Sequence, residues 1–192
     1  AHAASLAPTL SDTIRAGAGV LVVPEFLGNR SPFADPEARA VIAGLGLDRG
    51  IDSLAQLYLG GLSGIGYGLR QLLDRFAAEG LQIDTIIASG GAAQTPLACQ
   101  MLADSTGLQV ARPDAPEPVL LGSAMLAAIG SGTHPDAATA MAAMSGPAQG
   151  FAPATGDLAR LHDARYTAFA SLQGSARALR QAVGQAVGQA GI

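Results

Sequence analysis

Lysine and tryptophan are absent from the 192 residues, and Cys99 is the single cysteine. All 11 basic residues are therefore arginines. A Walker-type phosphate loop requires a lysine after its glycines, so this chain does not contain that class of phosphate site. Schiff-base catalysis by lysine is excluded for the same reason. A lone cysteine cannot form a disulfide within the chain, which favours a reducing, cytoplasmic location.

Charged residues are also scarce, at 14% of the chain against 49% hydrophobic residues. That balance is typical of one folded domain with a substantial core. The net charge of −4 and the lack of a basic run argue against nucleic acid as a partner. No apolar run approaches the roughly 18 residues of a membrane span, and residues 1–10 lack the basic region of a signal peptide. We therefore expect no membrane partner.

Apolar runs and turn residues divide the chain into alternating strands and helices. They predict strands over 19–23, over 84–89 as a buried strand, and over 109–111. Start and stop residues predict helices over 9–16, 52–79, 95–106, 119–129, 135–144 and 157–190. Residues 28–36 are predicted to form a structured loop, 37–50 a short helix or turn, and the segment before 157 a Pro/Gly-rich linker. This order indicates an α/β domain with helices flanking a sheet.

The helix predicted over 52–79, with Asp52 as its cap, contains five glycines between residues 60 and 68. Each interior glycine costs about 1 kcal/mol relative to alanine. They imply either close packing against a neighbour or a break near 60–64, and we favour close packing. Spacings of three and four predict one buried face of large apolar residues. Its members are Leu54, Leu57, Tyr58, Leu62, Ile65, Leu69, Leu72, Leu73 and Phe76.

A strand, two glycines and a capped helix form the most informative unit. Gly90 and Gly91 follow the strand predicted over 84–89, and Thr95 fits a helix N-cap with Pro96 at the first helical position. Adjacent glycines let a ligand approach the backbone, and a helix start offers N–H groups. A nucleotide site and a plain strand–helix turn are equally compatible with this segment alone.

Three ordered segments resemble the FGGY family of carbohydrate kinases. Residues 89–97, Ser-Gly-Gly-Ala-Ala-Gln-Thr-Pro-Leu, followed by 100–107, resemble the family's adenosine motif. Residues 120–125, Leu-Leu-Gly-Ser-Ala-Met, resemble the helix that packs behind that motif. Residues 23–36, with Gly-Asn-Arg-Ser-Pro at 28–32, are similar to a segment of ribulokinases within the family. The match extends from about 19 to 146, and the Gly-Asn-Arg-Ser-Pro run narrows the resemblance to ribulokinase-like members.

The resemblance implies an actin-like (ribonuclease H-like) ATPase fold and the C-terminal half of a two-domain sugar kinase. It implies one domain over 1–192, with a lead-in over 1–18, a core over 19–146 and a C-terminal helix over 157–192. ATP, with Mg²⁺, would bind in the cleft between this domain and an N-terminal FGGY domain. The implied nucleotide-binding residues are Gly90, Gly91, Ala92 and Thr95, with Gly91 contacting through its backbone and Thr95 beside the adenine or ribose. Gln94 departs from the family pattern, which leaves its side chain without an implied role.

The same resemblance places the catalytic aspartate and both phosphate loops upstream of the residues 28–32 segment, outside this chain. No catalytic residue and no metal ligand is therefore expected here, and the isolated chain is expected to be inactive. A complete enzyme would transfer the γ-phosphate of ATP to a hydroxyl of a pentulose such as ribulose. Two alternatives remain open: a non-catalytic actin-like module for binding or oligomerisation, including a homodimer, and the same domain of a xylulose or glycerol kinase.

Several polar residues have two interpretations. Asn29 and Arg30 are candidates for a phosphate or interdomain contact, although an arginine that braces its own loop is slightly favoured for Arg30. Asp35 fits a turn before Pro36 better than a catalytic base. The three histidines are scattered and predict no metal site. Cys99 is predicted to be buried. The final helix is predicted to present a solvated arginine face of Arg160, Arg165, Arg177 and Arg180.

Overall fold

The computed structural model describes residues 2–115 and 117–190 and shows an α/β fold. A short 3₁₀ helix, His2–Ser5, precedes the regular elements. The helices are α1 Thr13–Ala16, α2 Ile51–Ala78, α3 Pro96–Thr106, α4 Pro118–Gly130, α5 Ala137–Met144 and α6 Gly156–Ala190. The strands are β1 Leu21–Val23, β2 Val41–Ala43, β3 Thr85–Ile87, β4 Gln109–Pro113 and β5 Ala148–Phe151. No helix in the described part of the chain combines the length and apolarity needed to span a bilayer.

The strands form two small sheets. β1 pairs antiparallel with β2, so that Leu21 lies opposite Ala43. In the second sheet β4 lies between β3, to which it is parallel, and β5, to which it is antiparallel. The predicted helix or turn over 37–50 is wrong in part, because β2 forms there, and β5 forms in the predicted linker. Strand β2 is apolar but only three residues long, and β5, Ala-Gln-Gly-Phe, has weak strand propensity, so both depend on pairing with a partner strand.

Helix α2 is continuous through its glycines, which confirms the close-packing interpretation. A Cβ at Gly60 would lie 3.1 Å from the carbonyl oxygen of Val20, and a Cβ at Gly64 would overlap the carbonyl of Val22. At Gly66 it would lie 2.5 Å from Cβ of Ser105 in α3. These glycines therefore let α2 lie directly on β1 and α3.

The predicted buried face of α2 is wrong. Its buried residues are mainly small and lie on the face of Ala55, Leu59, Ser63 and Tyr67, whereas Leu54, Tyr58 and Ile65 of the predicted face are exposed. The spacing of apolar residues identifies where the large side chains of α2 lie. The face of α2 that packs on β1 and α3 requires small side chains instead, because these elements approach α2 closely. The predicted Asp52 cap is also wrong: Gly50 occupies the N-cap position, and Asp52 pairs instead with His2.

Helix α6 packs across α2, α3 and β1, and the prediction of a solvated arginine face fails for Arg165. The Arg165 guanidinium is buried and donates to the carbonyl oxygens of Ala18 and Val20, at 2.7 and 2.8 Å. It also reaches Oγ of Ser63 in α2 at 3.3 Å. Arg165 thus satisfies two backbone carbonyl groups just before β1. Arg160, in contrast, is exposed as predicted.

Candidate nucleotide site

The start of α3 has the predicted capping geometry. Thr95 has extended backbone, and its Oγ1 accepts a hydrogen bond from the amide of Ala98 at 3.2 Å, with Pro96 at the first helical position. The helix ends at Gly107, whose φ of +72° favours glycine. Thr95 and Pro96 are exposed, while Leu97 is buried against the core. A helix start of defined geometry is therefore open to a ligand.

The two glycines before α3 differ in their backbone. Gly90 has φ +73° and ψ −157°, a conformation that a side chain would strain, whereas Gly91 begins a 3₁₀ turn over Gly91–Ala93 and has no positive φ. The backbone conformation at Gly91 therefore does not require glycine, and Gly90 is the position that does. A Cβ at either residue would meet open space. Ala92 lies in the turn, and its side chain is outside the described part of the structure.

Two cavities flank this turn. The apolar cavity, about 600 Å³, is lined by residues 2–4, by Leu54 and Tyr58 at the start of α2, and by residues 95–97. The polar cavity, about 260 Å³, is lined by Ser89, Gly90 and Gln94 on one side and by residues 112–115 on the other. The apolar cavity has the size and lining typical of a small-molecule site. The predicted residues are thus divided: Thr95 borders one cavity and Gly90 the other.

Arg112, at the end of β4, is a site residue that the sequence analysis missed. One guanidinium nitrogen lies 3.4 Å from the carbonyl oxygen of Ala93 and 3.5 Å from that of Gln94, and the other donates to Gln149 at 2.8 Å. Arg112 therefore braces the turn and brings a positive charge to the polar cavity. The strand–helix–strand order over residues 84–111 could have indicated Arg112. Strands joined in this order pair in parallel here, and parallel strands present their carboxyl ends at one edge of a sheet.

Cys99 lies beneath this turn and is fully buried, as predicted. Its Sγ approaches the carbonyl oxygen of Ala93 at 3.6 Å. Burial raises the pKa of the Cys99 thiol, with Arg112 partly opposing the shift. The thiol is therefore protonated at neutral pH and serves in packing.

The 25–36 loop, comprising residues 25 to 36, carries the other predicted site residues. Arg30 is exposed and borders a small cavity with Leu27, while Asn29 is engaged within the loop through Glu25 and the amide of Phe33. Asp35 accepts the amide of Glu37 and pairs with Arg180, so the turn interpretation is confirmed. The structure does not bring the 25–36 loop and the Gly90 turn into one cavity among those described.

Within the described residues, no cluster of three or more His, Cys, Asp or Glu side chains could hold a metal ion. The described residues therefore do not form a Mg²⁺ site of their own.

Solved structures of two sugar kinases have folds similar to that of this chain. A xylulose kinase from Rhodospirillum rubrum matches with a TM-score of 0.68 and 24% identity, covering 88% of this chain and 33% of that one. A Plasmodium falciparum glycerol kinase solved with ADP matches with a TM-score of 0.68 and 18% identity, covering 90% and 33%. The fold is therefore the actin-like fold of the C-terminal half of two-domain sugar kinases.

The family follows from sequence. Residues 2–131 match the FGGY family of carbohydrate kinases, C-terminal domain, and the chain belongs to this family. An FGGY carbohydrate kinase domain-containing protein of Xenopus laevis is 39% identical over 151 residues, which cover 79% of this chain and 27% of that protein. The D-ribulokinase of Saccharomyces cerevisiae is 40% identical over 110 residues, covering 56% and 15%. The chain thus spans only about a quarter or less of these relatives' lengths.

Proposed function

We propose that this chain is the ATP-binding C-terminal part of a carbohydrate kinase that phosphorylates a pentulose such as ribulose. Membership of the FGGY family supports the reaction class. The D-ribulokinase among its relatives, together with the Gly-Asn-Arg-Ser-Pro run at 28–32, supports ribulose as the substrate. Xylulose and glycerol kinases are also similar to the chain, and xylulose and glycerol are therefore the competing acceptors to test.

The observation that carries the proposal is the apolar cavity beside the capped start of α3. A planar base fits between the Tyr58 and Leu54 side chains and residues 95–97, where the lining is apolar. The open space beside Gly90 and Gly91 lets the sugar–phosphate part of a nucleotide pass close to the backbone. The positive charge of Arg112 borders the same turn. Bound ATP supplies the phosphoryl group, and this chain's residues hold and orient it.

We further propose that the complete enzyme is cytoplasmic, uses Mg²⁺ with ATP, and places this chain against an N-terminal FGGY domain. The catalytic base and the phosphate loops would come from that partner domain, because phosphoryl transfer requires a base within hydrogen-bond reach of the accepting hydroxyl. The ADP-bound neighbour supports the nucleotide part of this proposal. Nucleotide binding by the lone chain is then weak, since only one wall of the cleft is present.

The test is nucleotide affinity in the chain joined to an N-terminal FGGY domain. Gly91→Val should raise the KM for ATP at least about tenfold more than the KM for the sugar, since a side chain would fill the open approach. The matched control is Gly46→Val, at another exposed glycine whose Cβ would also meet open space. Thr95→Ala should cost about 1 kcal/mol of stability through the lost cap.

Unchanged ATP kinetics in Gly91→Val would remove the nucleotide assignment. Assays with D-ribulose, L-ribulose, D-xylulose and glycerol as acceptors test the sugar substrate separately from nucleotide binding. Turnover with glycerol alone would contradict the pentulose part and leave the kinase part intact.

A further inference from the structure

Helix α6 lies beyond residues 2–131, the part that matches the family, yet it holds the 25–36 loop in place. That loop has no regular secondary structure beyond isolated bridges, and its tip is exposed at Phe26, Leu27 and Arg30. An irregular loop with an exposed tip needs anchors to keep one conformation. Those anchors come from two sets of contacts with α6.

The first set surrounds a buried carboxylate. Glu25, at the base of the loop, is 8% exposed, and its Oε1 accepts from Nε2 of Gln173 at 2.6 Å and from Nδ2 of Asn29 at 2.5 Å. Gln173 is 1% exposed, and its Oε1 accepts from Nε2 of Gln71 in α2 at 2.8 Å. A continuous hydrogen-bonded series therefore runs from α2 through Gln173 to Glu25 and Asn29.

The second set holds the other end of the loop. Asp35 forms an ion pair with Arg180, and the Arg177 guanidinium lies 3.4 Å from the centroid of the Phe33 ring. Between the two sets, Asn29 and Asp35 exchange backbone hydrogen bonds at 2.7 Å, and Oδ1 of Asn29 accepts the amide of Phe33. Asn29 is thus the residue through which the Glu25 anchor reaches the loop's interior.

We propose that Gln173 is a positioning residue that fixes the 25–36 loop, and with it the exposed Arg30, through the Glu25 carboxylate. A buried carboxylate requires donors, and Gln173 is its donor from outside the loop. Without that donor, Glu25 gains by moving toward water, and the loop moves with it. Residue 30 directly follows Asn29, so a shift of the anchored backbone displaces the Arg30 side chain.

The proposal that Gln173 fixes the 25–36 loop, its physical part, does not depend on which reaction the complete enzyme catalyses. The catalytic consequence rests on the proposed function: if Arg30 contacts a phosphate or the partner domain, Gln173 sets the geometry of that contact from outside the site.

Backbone hydrogen exchange on the 192-residue chain tests the physical part. Gln173→Met removes the donor and keeps most of the side-chain volume. It should speed exchange of the Asn29, Phe33 and Asp35 amides by about tenfold or more, as expected for loss of a charge-assisted hydrogen bond. Amides inside α3 should keep their rates. The matched control is Tyr166→Phe, which removes an α6–α2 hydrogen bond to Asp74 and does not touch the loop.

A swap of donor and acceptor distinguishes positioning from general packing. Gln173→Glu alone sets two carboxylates against each other and should free the loop more than Gln173→Met. Adding Glu25→Gln restores a donor–acceptor pair between residues 25 and 173, since the new amide donates to the new carboxylate, which still accepts from Gln71. Because Oε1 of Glu25 accepts from both Gln173 and Asn29 in the parent, the amide oxygen at residue 25 must turn toward Asn29 to keep that second bond. The double variant should recover loop exchange to within about threefold of the parent. Loop rates unchanged in Gln173→Met, or no recovery in the double variant, would overturn the proposal.

A kinetic measurement then tests the consequence, with the chain joined to an N-terminal FGGY domain. Gln173→Met should lower kcat/KM for the sugar by about tenfold, as Arg30→Ala should, and the swap should restore it. If exchange responds but the kinetics do not, Arg30 has no catalytic contact and that part of the proposal is wrong. If neither parent nor variant has kinase activity, the proposed function fails while the exchange result still decides the role of Gln173.

Discussion

Two regions of the molecule differ in how completely they bury their large apolar side chains. The α2–α6 side, made by α2, α6 and β1, encloses Tyr67, His162 and Phe169, each with no more than 1% exposure. The β3–α4 side, made by the outer face of β3 and by α4, leaves large apolar side chains open: Ile87 is 65% and Val119 is 79% exposed. Helix α4 has no buried residue at all among those described.

The two regions differ in whether neighbouring segments pack closely and supply hydrogen-bond partners for buried backbone and polar groups. On the α2–α6 side glycines allow close approach, and side chains such as Arg165 and Gln173 satisfy buried carbonyl and carboxylate oxygens. The β3–α4 side has no comparable partner within the described residues, and Ile87, Val119, Leu120 and Leu126 are each more than half exposed. We therefore expect the first side to unfold as a cooperative unit and the second to require a cover.

The largest expected effect comes from filling the closest contact on the α2–α6 side. Gly64→Ala places a methyl group into the carbonyl of Val22 and should lower the free energy of unfolding by about 3 kcal/mol, since backbone cannot move aside easily. The identical change Gly61→Ala, where a Cβ meets open space, should raise stability by about 0.5–1 kcal/mol. Urea unfolding measures both. Equal effects at the two glycines would refute close packing as the reason for the glycines.

The second-largest effect on the free energy of unfolding is expected from removal of the buried Arg165 guanidinium. Arg165→Met leaves the carbonyl oxygens of Ala18 and Val20 without their donor, at a cost of about 2–4 kcal/mol. Arg160→Met, at an exposed position of the same helix, should change stability by less than about 0.5 kcal/mol. Chemical denaturation of the two variants in parallel checks the difference, and a mild effect at Arg165 would show that water replaces its hydrogen bonds.

The α2–α6 side should also be acid-sensitive through His162. Burial, reinforced by the Arg165 and Arg70 charges and weakly opposed by Asp163, lowers the pKa of His162 from 6.5 to about 4. Its Nδ1 lies 3.0 Å from Oη of Tyr67. The unfolded chain therefore binds a proton below pH 6.5 that the folded chain does not bind until about pH 4. This contribution is complete above pH 6.5 and falls as the pH drops, by about 2 kcal/mol at pH 5.

The measurement is the difference in unfolding free energy between the parent and His162→Asn, taken at several pH values from 7.5 to 4.5. Asparagine keeps a hydrogen-bonding side chain and does not titrate. A pH-independent difference would mean that His162 is not buried as a neutral side chain.

The smallest effect on stability, and the most direct probe of the β3–α4 side, is a change on α4. Leu120 is 65% exposed, and Leu120→Ser should alter stability by less than about 0.5 kcal/mol. We expect the parent chain to self-associate through this surface and the variant to do so less, as measured by light scattering. Addition of an N-terminal FGGY domain should suppress the association if that domain covers the surface. A parent chain that remains monomeric at high concentration would contradict this prediction.

The sequence predicted the elements whose local signals are strong. Thr95, Pro96 and Gly107 set both ends of α3, and the structure has them as predicted. The runs of apolar or helix-forming residues also located β1, α4 and α6. The resemblance of residues 89–97 and 120–125 to the FGGY family was sufficient for the family and the fold.

Contacts between distant segments were not predictable in the same way. β2 is only three residues long and β5 has weak strand propensity, and both form by pairing with the backbone of β1 and β4. β3 was expected to be buried because it is apolar, but it lies at the edge of its sheet, and both Thr85 and Ile87 are exposed. The roles of Arg165, Gln173 and Arg112 depend on carbonyls and carboxylates that lie between 18 and 148 positions away in the chain.

By itself, then, the sequence determined both ends of α3, the glycine-rich turn and the family, because each rests on residues close together in the chain. The tertiary structure decided which face of α2 is buried, which arginine is buried, and that the turn lies between an apolar and a polar cavity. These outcomes depend on which backbone groups remain unsatisfied after the strands pair, and on how closely two segments approach. Neither quantity is encoded in a local pattern of residues.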